Sequence, residues 1–336
     1  MTRRDAMATM AGGMAVLGTG LGAGRAARAG DTNAAGDPTL PELMRSIGPS
    51  MSSVPIRAVE LAPGLRLVTG PGGNVTALDG PDGLLLVDSF VPGHVDALLA
   101  VLGKPASGRP ITVVDTHWHF DHAGGNEALG KLGAKVVAHA NVRARLGSPQ
   151  SVRDFGMEVP ASPAAALPVV TFDDKLTLHQ NGETVRLAAV PPAHTDGDVY
   201  IYYEKANVLQ TGDLFSNGFY PNIDRDSRGW IGGMVAACDT LLGLADERTV
   251  IIPGHGPTGR KADLKAFRAM LAEVQGLIEA MIRAGKTVDE AVAARPLDKL
   301  DETWAKGFFK GSHFITLVYN GLVDHQREMK ARMIGR

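Results

Sequence analysis

Apolar residues recur along the chain with two different periods, and the switches between them outline the elements. From about Val54 the period is two or the run is continuous: "LRLVTG", "NVTALDG" and "GLLLVDS" across residues 65–89 are short, rich in β-branched and leucine residues, and separated by glycine-containing turns, as in an antiparallel meander. The spacing turns helical at "HVDALLAVLG" (94–103), returns to a buried strand at "ITVVDT" (111–116), and alternates again through "NEALGKLG" as a short helix and "KVVAHA" as a strand. Beyond a Pro-rich loop come "KLTLHQ", "ETVRLAAV", "VYIYYE" and "NVLQTG" over 175–212, with a hairpin turn expected at 181–183, then a helix near 230–245 and the strand "TVIIPG" at 249–254. Strands, helices, strands, helices: this order predicts an α/β (α+β) chain, a four-layer αββα sandwich of two mixed β-sheets flanked by helices.

The two ends break the pattern. Residues 30–53 are rich in Gly, Pro, Asp and Ser without a sustained period and read as a linker, so the main domain is placed at 54–262. From Lys261 the period is helical, and residues 263–336 read as a helical C-terminal extension; the sequence leaves open whether it caps the core, covers a pocket or makes a dimer contact, and leaves the oligomeric state open too. Residues 1–29 run from Arg3 and Arg4 through a charge-free stretch of small and apolar residues to an Ala27-Arg28-Ala29 sequence, the order of an export signal. The stretch resembles a twin-arginine signal, although Ala6 and Met7 stand where bulkier apolar residues are usual; the general secretory route is the other possibility. A periplasmic or secreted protein is expected, without stable membrane insertion, because the apolar stretch is Gly-rich and shorter than the ~20 residues of a span.

Composition narrows the function classes. With 34 basic and 36 acidic residues and no long basic run, the chain carries no nucleic-acid footprint. Cys238 is the sole cysteine, so no intrachain disulfide forms, and its helical setting predicts a buried, inert thiol.

The chemistry is concentrated in "DTHWHFDHAGGN" (115–126). On a strand end, side chains two apart share a face, so His117 and His119 point into one site, and Asp121 and His122 turn to a neighbouring position. His194 in "PPAHTDGD", Asp213 in "LQTGDLF" and His255 in "IIPGHGP" each follow a predicted strand at a turn and converge on the same rim. Neutral imidazoles, carboxylates for charge balance and an open coordination position are what a hydrolytic metal site needs.

These motifs, with Asp88 in "GLLLVDS", resemble the successive motifs of the metallo-β-lactamase-fold hydrolases over about residues 54–260. The resemblance implies two zinc ions per subunit, with iron or manganese as alternatives: one on His117, His119 and His194, a second on Asp121, His122 and His255, and Asp213 bridging both. It implies a metal-bridged hydroxide attacking a carbonyl carbon of a small-molecule substrate, with Asp121 as the catalytic carboxylate. Where β-lactamases often carry a cysteine ligand this chain has Asp213, so the all-nitrogen-and-oxygen second site fits a cyclic amide, lactone or ester and equally a glyoxalase II-type thioester. A mononuclear iron persulfide dioxygenase is the oxidoreductase alternative, disfavoured by the presence of both His122 and His255; a metal-binding accessory protein without turnover is a third reading. In "FSNGFYPNIDRDSRGW" (215–230), Tyr220, Asn222 and Trp230 are candidate substrate contacts. Trp118 and Phe120 are expected to pack beneath the site.

Overall fold

The long alternating runs form the strands they predict. The computed structural model describes residues 32–51, 53–103 and 108–334; the expected export signal lies outside them. Among the described residues, one seven-stranded sheet has the order β1 (Arg57–Ala62), β2 (Leu65–Thr69), β3 (Val75–Gly80), β4 (Gly83–Val87), β5 (Ile111–Val114), β6 (Lys135–His139) and β9 (Val170–Phe172), with a small hairpin, β7 (Gln150–Val152) and β8 (Met157–Val159), inserted before its last strand. The first four strands pair antiparallel and the remainder parallel. The second sheet is β10 (Lys175–Gln180), β11 (Glu183–Ala189), β12 (Val199–Tyr203), β13 (Val208–Gln210) and β14 (Val250–Ile252), with only its last pair parallel. The β10–β11 hairpin turns at Asn181 and Gly182, both with positive φ, the pair a two-residue type I′ turn requires.

Three apolar layers hold the sandwich. Leu65, Leu67, Leu85 and Val114 of one sheet meet Val185, Leu187, Ile201 and Ile252 of the other. The outer face of the first sheet, through Leu84, Leu86 and Val113, is covered by helix Val95–Val101 with Val95, Leu98 and Leu99. The outer face of the second, through Leu209 and Ile251, is covered by helices Ile231–Leu244 and Lys261–Arg283. Burial on both faces explains why β4 reads "GLLLV", apolar throughout instead of alternating.

Both ends pack more tightly than their composition suggests. The 30–53 stretch read as a linker contains helix Leu40–Met51, with Leu40 buried in the cluster that contains Phe314. Asp37 accepts hydrogen bonds from Lys310 Nζ (3.0 Å) and Ser312 Oγ (2.7 Å), and His313 Nε2 donates to Pro38 O at 2.7 Å. Local composition hid this because the partners lie some 275 residues away. The extension, beginning in helix Lys261–Arg283 and ending in helix Gly311–Ile334, buries Leu264, Phe267, Phe314 and Leu317 in the same core as the second sheet's outer face, so it caps the core, and through Phe308 and Phe309 it also lines a cavity. The hairpin β7–β8, β9 and helix Ala140–Leu146 are not among the predicted elements; β7, β8 and β9 are exposed or half-buried at most positions and lack the continuous apolar run that marks the equally short β13 and β14. No helix among the described residues is long and apolar enough to cross a membrane.

Candidate metal centre

The seven side chains singled out in the sequence meet at one rim of the sandwich. His117 leaves the end of β5, His119 precedes the short helix Phe120–Ala123 that carries Asp121 and His122, His194 lies beyond β11, Asp213 beyond β13 and His255 beyond β14. Backbone hydrogen bonds lock these loops together, two between the sheets, Val199 N to Thr116 O (2.8 Å) and Asn74 N to Gly254 O (2.7 Å), and one within the second sheet's rim, Gly254 N to Gly212 O (2.7 Å). Two glycines are required by close approach. A Cβ at Gly73 would lie 2.1 Å from the His122 ring, and one at Gly254 would lie 1.9 Å from Asp213 Oδ1.

Three overlapping trios emerge, His117–His119–His194, His117–His122–Asp213 and Asp121–His122–His255, each with its ligand atoms within 4.8 Å of one another. Asp213 faces both sides: its Oδ2 is 3.6 Å from His194 Nε2, and its Oδ1 is 3.2 Å from His122 Nε2 and 3.5 Å from His255 Nε2. Asp121 Oδ2 is 3.2 Å from His255 Nε2.

Outer hydrogen bonds select which ring nitrogen looks inward. His122 Nδ1 sits 2.8 Å from Asp88 Oδ2, His194 Nδ1 2.9 Å from Asn222 O, and His119 Nε2 3.0 Å from Asp224 Oδ2, so the site receives Nε2 from His122 and His194 but Nδ1 from His119. Asp88 also accepts from Thr116 N (2.8 Å) and Thr116 Oγ1 (2.9 Å), and it adopts a left-handed φ of 65°, a backbone conformation unusual for any residue but glycine. Asp224, in the loop after Asp213, accepts Ser227 Oγ at 2.5 Å, and Ser227 in turn accepts Trp118 Nε1 at 2.8 Å. Its only sequence signal was an Asp before a turn-forming "RDS".

The electrostatics divide the cluster. Burial pushes His194 down to about 4, and burial together with the neighbouring imidazoles holds His117 well below its usual value, so both are neutral ligands-in-waiting. At His255 burial opposes the charge, but Asp213 and Asp121 outweigh it and raise the imidazole to about 9. Burial likewise opposes ionisation of Asp121, yet His122 and His255 bring it to about 2. A region that draws protons onto buried imidazoles is one that favours cations. The decisive observation is that His117 Nε2 is buried without a hydrogen-bond partner in the midst of this cluster, and that Asp213 Oδ1, also buried, faces His122 and His255 at 3.2 and 3.5 Å without a well-formed hydrogen bond to either. Orphaned donor and acceptor atoms are costly in an interior, and a cation shared by these nitrogens and oxygens relieves that cost.

The match to known proteins agrees with the geometry. A family model described as the metallo-beta-lactamase superfamily matches residues 68–270. The chain belongs to this superfamily. A probable metallo-hydrolase, YqgX of Bacillus subtilis (strain 168), is 29% identical over 57% of this chain and 89% of its own length. The 2,4-dinitroanisole O-demethylase subunit alpha of Nocardioides sp. (strain JS1661) is 24% identical over 83% of this chain and 80% of its own. A metallo-beta-lactamase structure from Pontibacter korlensis aligns with a TM-score of 0.53 at 20% identity, over 65% of this chain and 99% of the other, which shows the shared fold. As a superfamily member the chain is a metal-dependent hydrolase.

Beside the superfamily centre lies a cavity of about 350 Å³ that reaches His119, Asp121, Asp213 and His255. Asn222 lines it, with an Oδ1 that is buried and unpartnered. Tyr220 lines it as well, but its hydroxyl donates to Asp301 at 2.8 Å and its ring stacks on Phe314. Trp230 is elsewhere: it stacks on His325 with ring centroids 3.7 Å apart and is absent from the cavity wall. Phe120, expected beneath the site, is 40% exposed and lines the cavity, because the first turn of its helix points the ring outward. Cys238 is buried against Leu214 O, where burial pushes its thiol far up, and takes no part in the trios.

Proposed function

We propose that the chain is a dizinc hydrolase of a carbonyl-centred bond in a cyclic amide, lactone or ester, exported through residues 1–29. What carries the reading is the orphaned, buried His117 Nε2, together with a buried Asp213 Oδ1 that forms no well-made hydrogen bond, inside a set of seven convergent nitrogen and oxygen donors. His117, His119 and His194 would hold one zinc, Asp121, His122 and His255 the other, with Asp213 offering one oxygen to each. Bound there, the cations supply Lewis acidity and a water whose pKa is lowered to roughly 7.

The protein's own groups do the rest. Asp224 and Asn222 O fix the tautomers of His119 and His194, so their inward nitrogens carry no proton. Asp121 lines the cavity, and its low pKa keeps it an acceptor at neutral pH; it orients the attacking water at Oδ2 and passes the proton taken from it to the leaving group. Four of the seven donors, His119, Asp121, Asp213 and His255, line the cavity, so substrate would reach the centre from that side. A glutathione thioester is a poorer fit, because it is chiefly cytosolic and anionic, and neither Lys nor Arg lines the cavity.

The test is metal content with activity. Purified protein is expected to hold two zinc ions per chain, and Asp121→Asn to lose about 10²–10⁴-fold in kcat, the usual worth of a positioned proton-transfer group. One iron per chain, or near-wild-type turnover of Asp121→Asn in excess zinc, refutes it.

A further inference from the structure

The walls of the cavity say more about the substrate than the floor does. Resting on the hydrolase reading above, we infer that the substrate is an uncharged ester or lactone whose acyl part is a flexible apolar chain or ring seated against Phe155, Phe309 and Met44. Phe155 and Phe309 stack face to face, centroids 6.2 Å apart and planes 13° apart, and Phe120, Phe219 and Phe308 join them around the opening. Phe120 leaves 40% of its surface in water, an apolar face that a seated ligand covers. Among the lining residues no lysine or arginine occurs, while Asp121, Asp213 and Glu127 are all acidic.

Three cations that adjoin lining residues along the chain are held in ion pairs. Lys131 pairs with Glu127 at 2.5 Å, Lys310 with Asp37 at 3.0 Å, and Arg153 with Asp226 and with Asp324. A carboxylate on the acyl chain therefore enters an apolar cavity with nothing to pair it, which is strongly unfavourable. Hydrolysis itself needs no further reagent: the water oxygen bonds to the carbonyl carbon, the bond from that carbon to the ester oxygen breaks, and the proton passes to the departing alkoxide.

Two of these walls come from outside residues 68–270. Met44 is on the N-terminal arm and Phe308 and Phe309 precede helix Gly311–Ile334, so the segments that flank the superfamily match complete the acyl pocket. They are specificity-determining, because one methylene in a fitted apolar pocket is worth about 10–200-fold in kcat/KM.

The experiment uses the full chain loaded with zinc and p-nitrophenyl esters of acetate, butanoate and octanoate, together with the suberate monoester, which matches octanoate but ends in a carboxylate. We expect kcat/KM to rise at least ~10-fold from acetate to octanoate and to fall at least ~10-fold for the suberate ester. Phe309→Ala should flatten the chain-length rise, and Met44→Lys, a half-buried position that tolerates a long side chain, should raise the suberate-to-octanoate ratio about tenfold. A flat length profile, equal use of the anionic ester, or an unchanged ratio in Met44→Lys overturns the inference while leaving the hydrolase reading intact. If no ester, lactone, thioester or β-lactam is turned over, the hydrolase reading fails instead. Binding of the neutral probe N-phenyl-1-naphthylamine then decides the pocket: saturable binding weakened in Phe309→Ala supports it, and no binding refutes it.

Discussion

At the scale of single residues, the centre is governed by hydrogen bonds one step behind the candidate ligands. His119 presents Nδ1 only because Asp224 takes its Nε2 at 3.0 Å, and Asp224 is buried, with a carboxyl held at about 2 because His119 and Ser227 outweigh the burial that opposes its charge. Asp224→Ala frees the imidazole to rotate and change tautomer. We expect metal affinity to drop about 10–100-fold, read by competition with a chromophoric chelator, while circular dichroism stays native. Ser227→Ala keeps the contact to His119 and serves as the control; equal loss in both variants would assign the effect to the turn instead. The candidate ligands were readable because histidine and aspartate at strand ends have few other uses in such density. Asp224 was not, since a lone aspartate in a loop looks the same whether it caps a turn or orients a histidine. Trp230 misled for the complementary reason: an aromatic near a site is attractive on paper, and only packing shows that its ring lies on His325.

At the scale of elements, strands with an alternating or continuous apolar run were legible, the three-residue β13 and β14 included, whereas β7, β8 and β9, exposed or half-buried at most positions, were not, because their ladders are dictated by neighbours. The N-terminal arm shows the same limit. Its docking depends on His313, whose Nε2 donates to Pro38 O and whose Nδ1 accepts from Lys310 N at 3.1 Å. Burial lowers the His313 pKa below 6.5. The sign follows: the unfolded or undocked form takes up the proton first, so the contribution of this histidine is complete above pH 6.5 and declines as pH falls below it toward the lowered value. Protonating Nδ1 also turns an acceptor into a donor that faces another N–H. Hydrogen-exchange protection over residues 32–46, corrected for the intrinsic rate at each pH, is therefore expected to fall between pH 7 and 5, with His313→Gln abolishing most of that pH dependence; an identical profile in the variant would rule the mechanism out.

At the scale of the whole molecule, the extension is part of the fold. Helix Lys261–Arg283 buries Leu264, Phe267, Met270, Leu271, Val274 and Ile278. At about 1.5–3 kcal/mol for each buried apolar side chain, their loss is comparable with the ~5–15 kcal/mol that holds a typical protein folded. A chain ending at Arg260 is thus expected to lose cooperative thermal unfolding, whereas a sharp transition in calorimetry would show the sandwich to be self-sufficient. The sequence by itself determined the layer order, the hairpin at 181–183 and the identity of the seven candidate ligands, because these depend on period, turn chemistry and residue type, all local properties. Tertiary structure alone decided which ring nitrogen of each histidine faces inward, that the arm docks on the final helix, and that Met44 joins Phe155 and Phe309 in one wall. Those outcomes rest on contacts between residues from 28 to 275 positions apart, and no local pattern encodes which distant surface a side chain will meet.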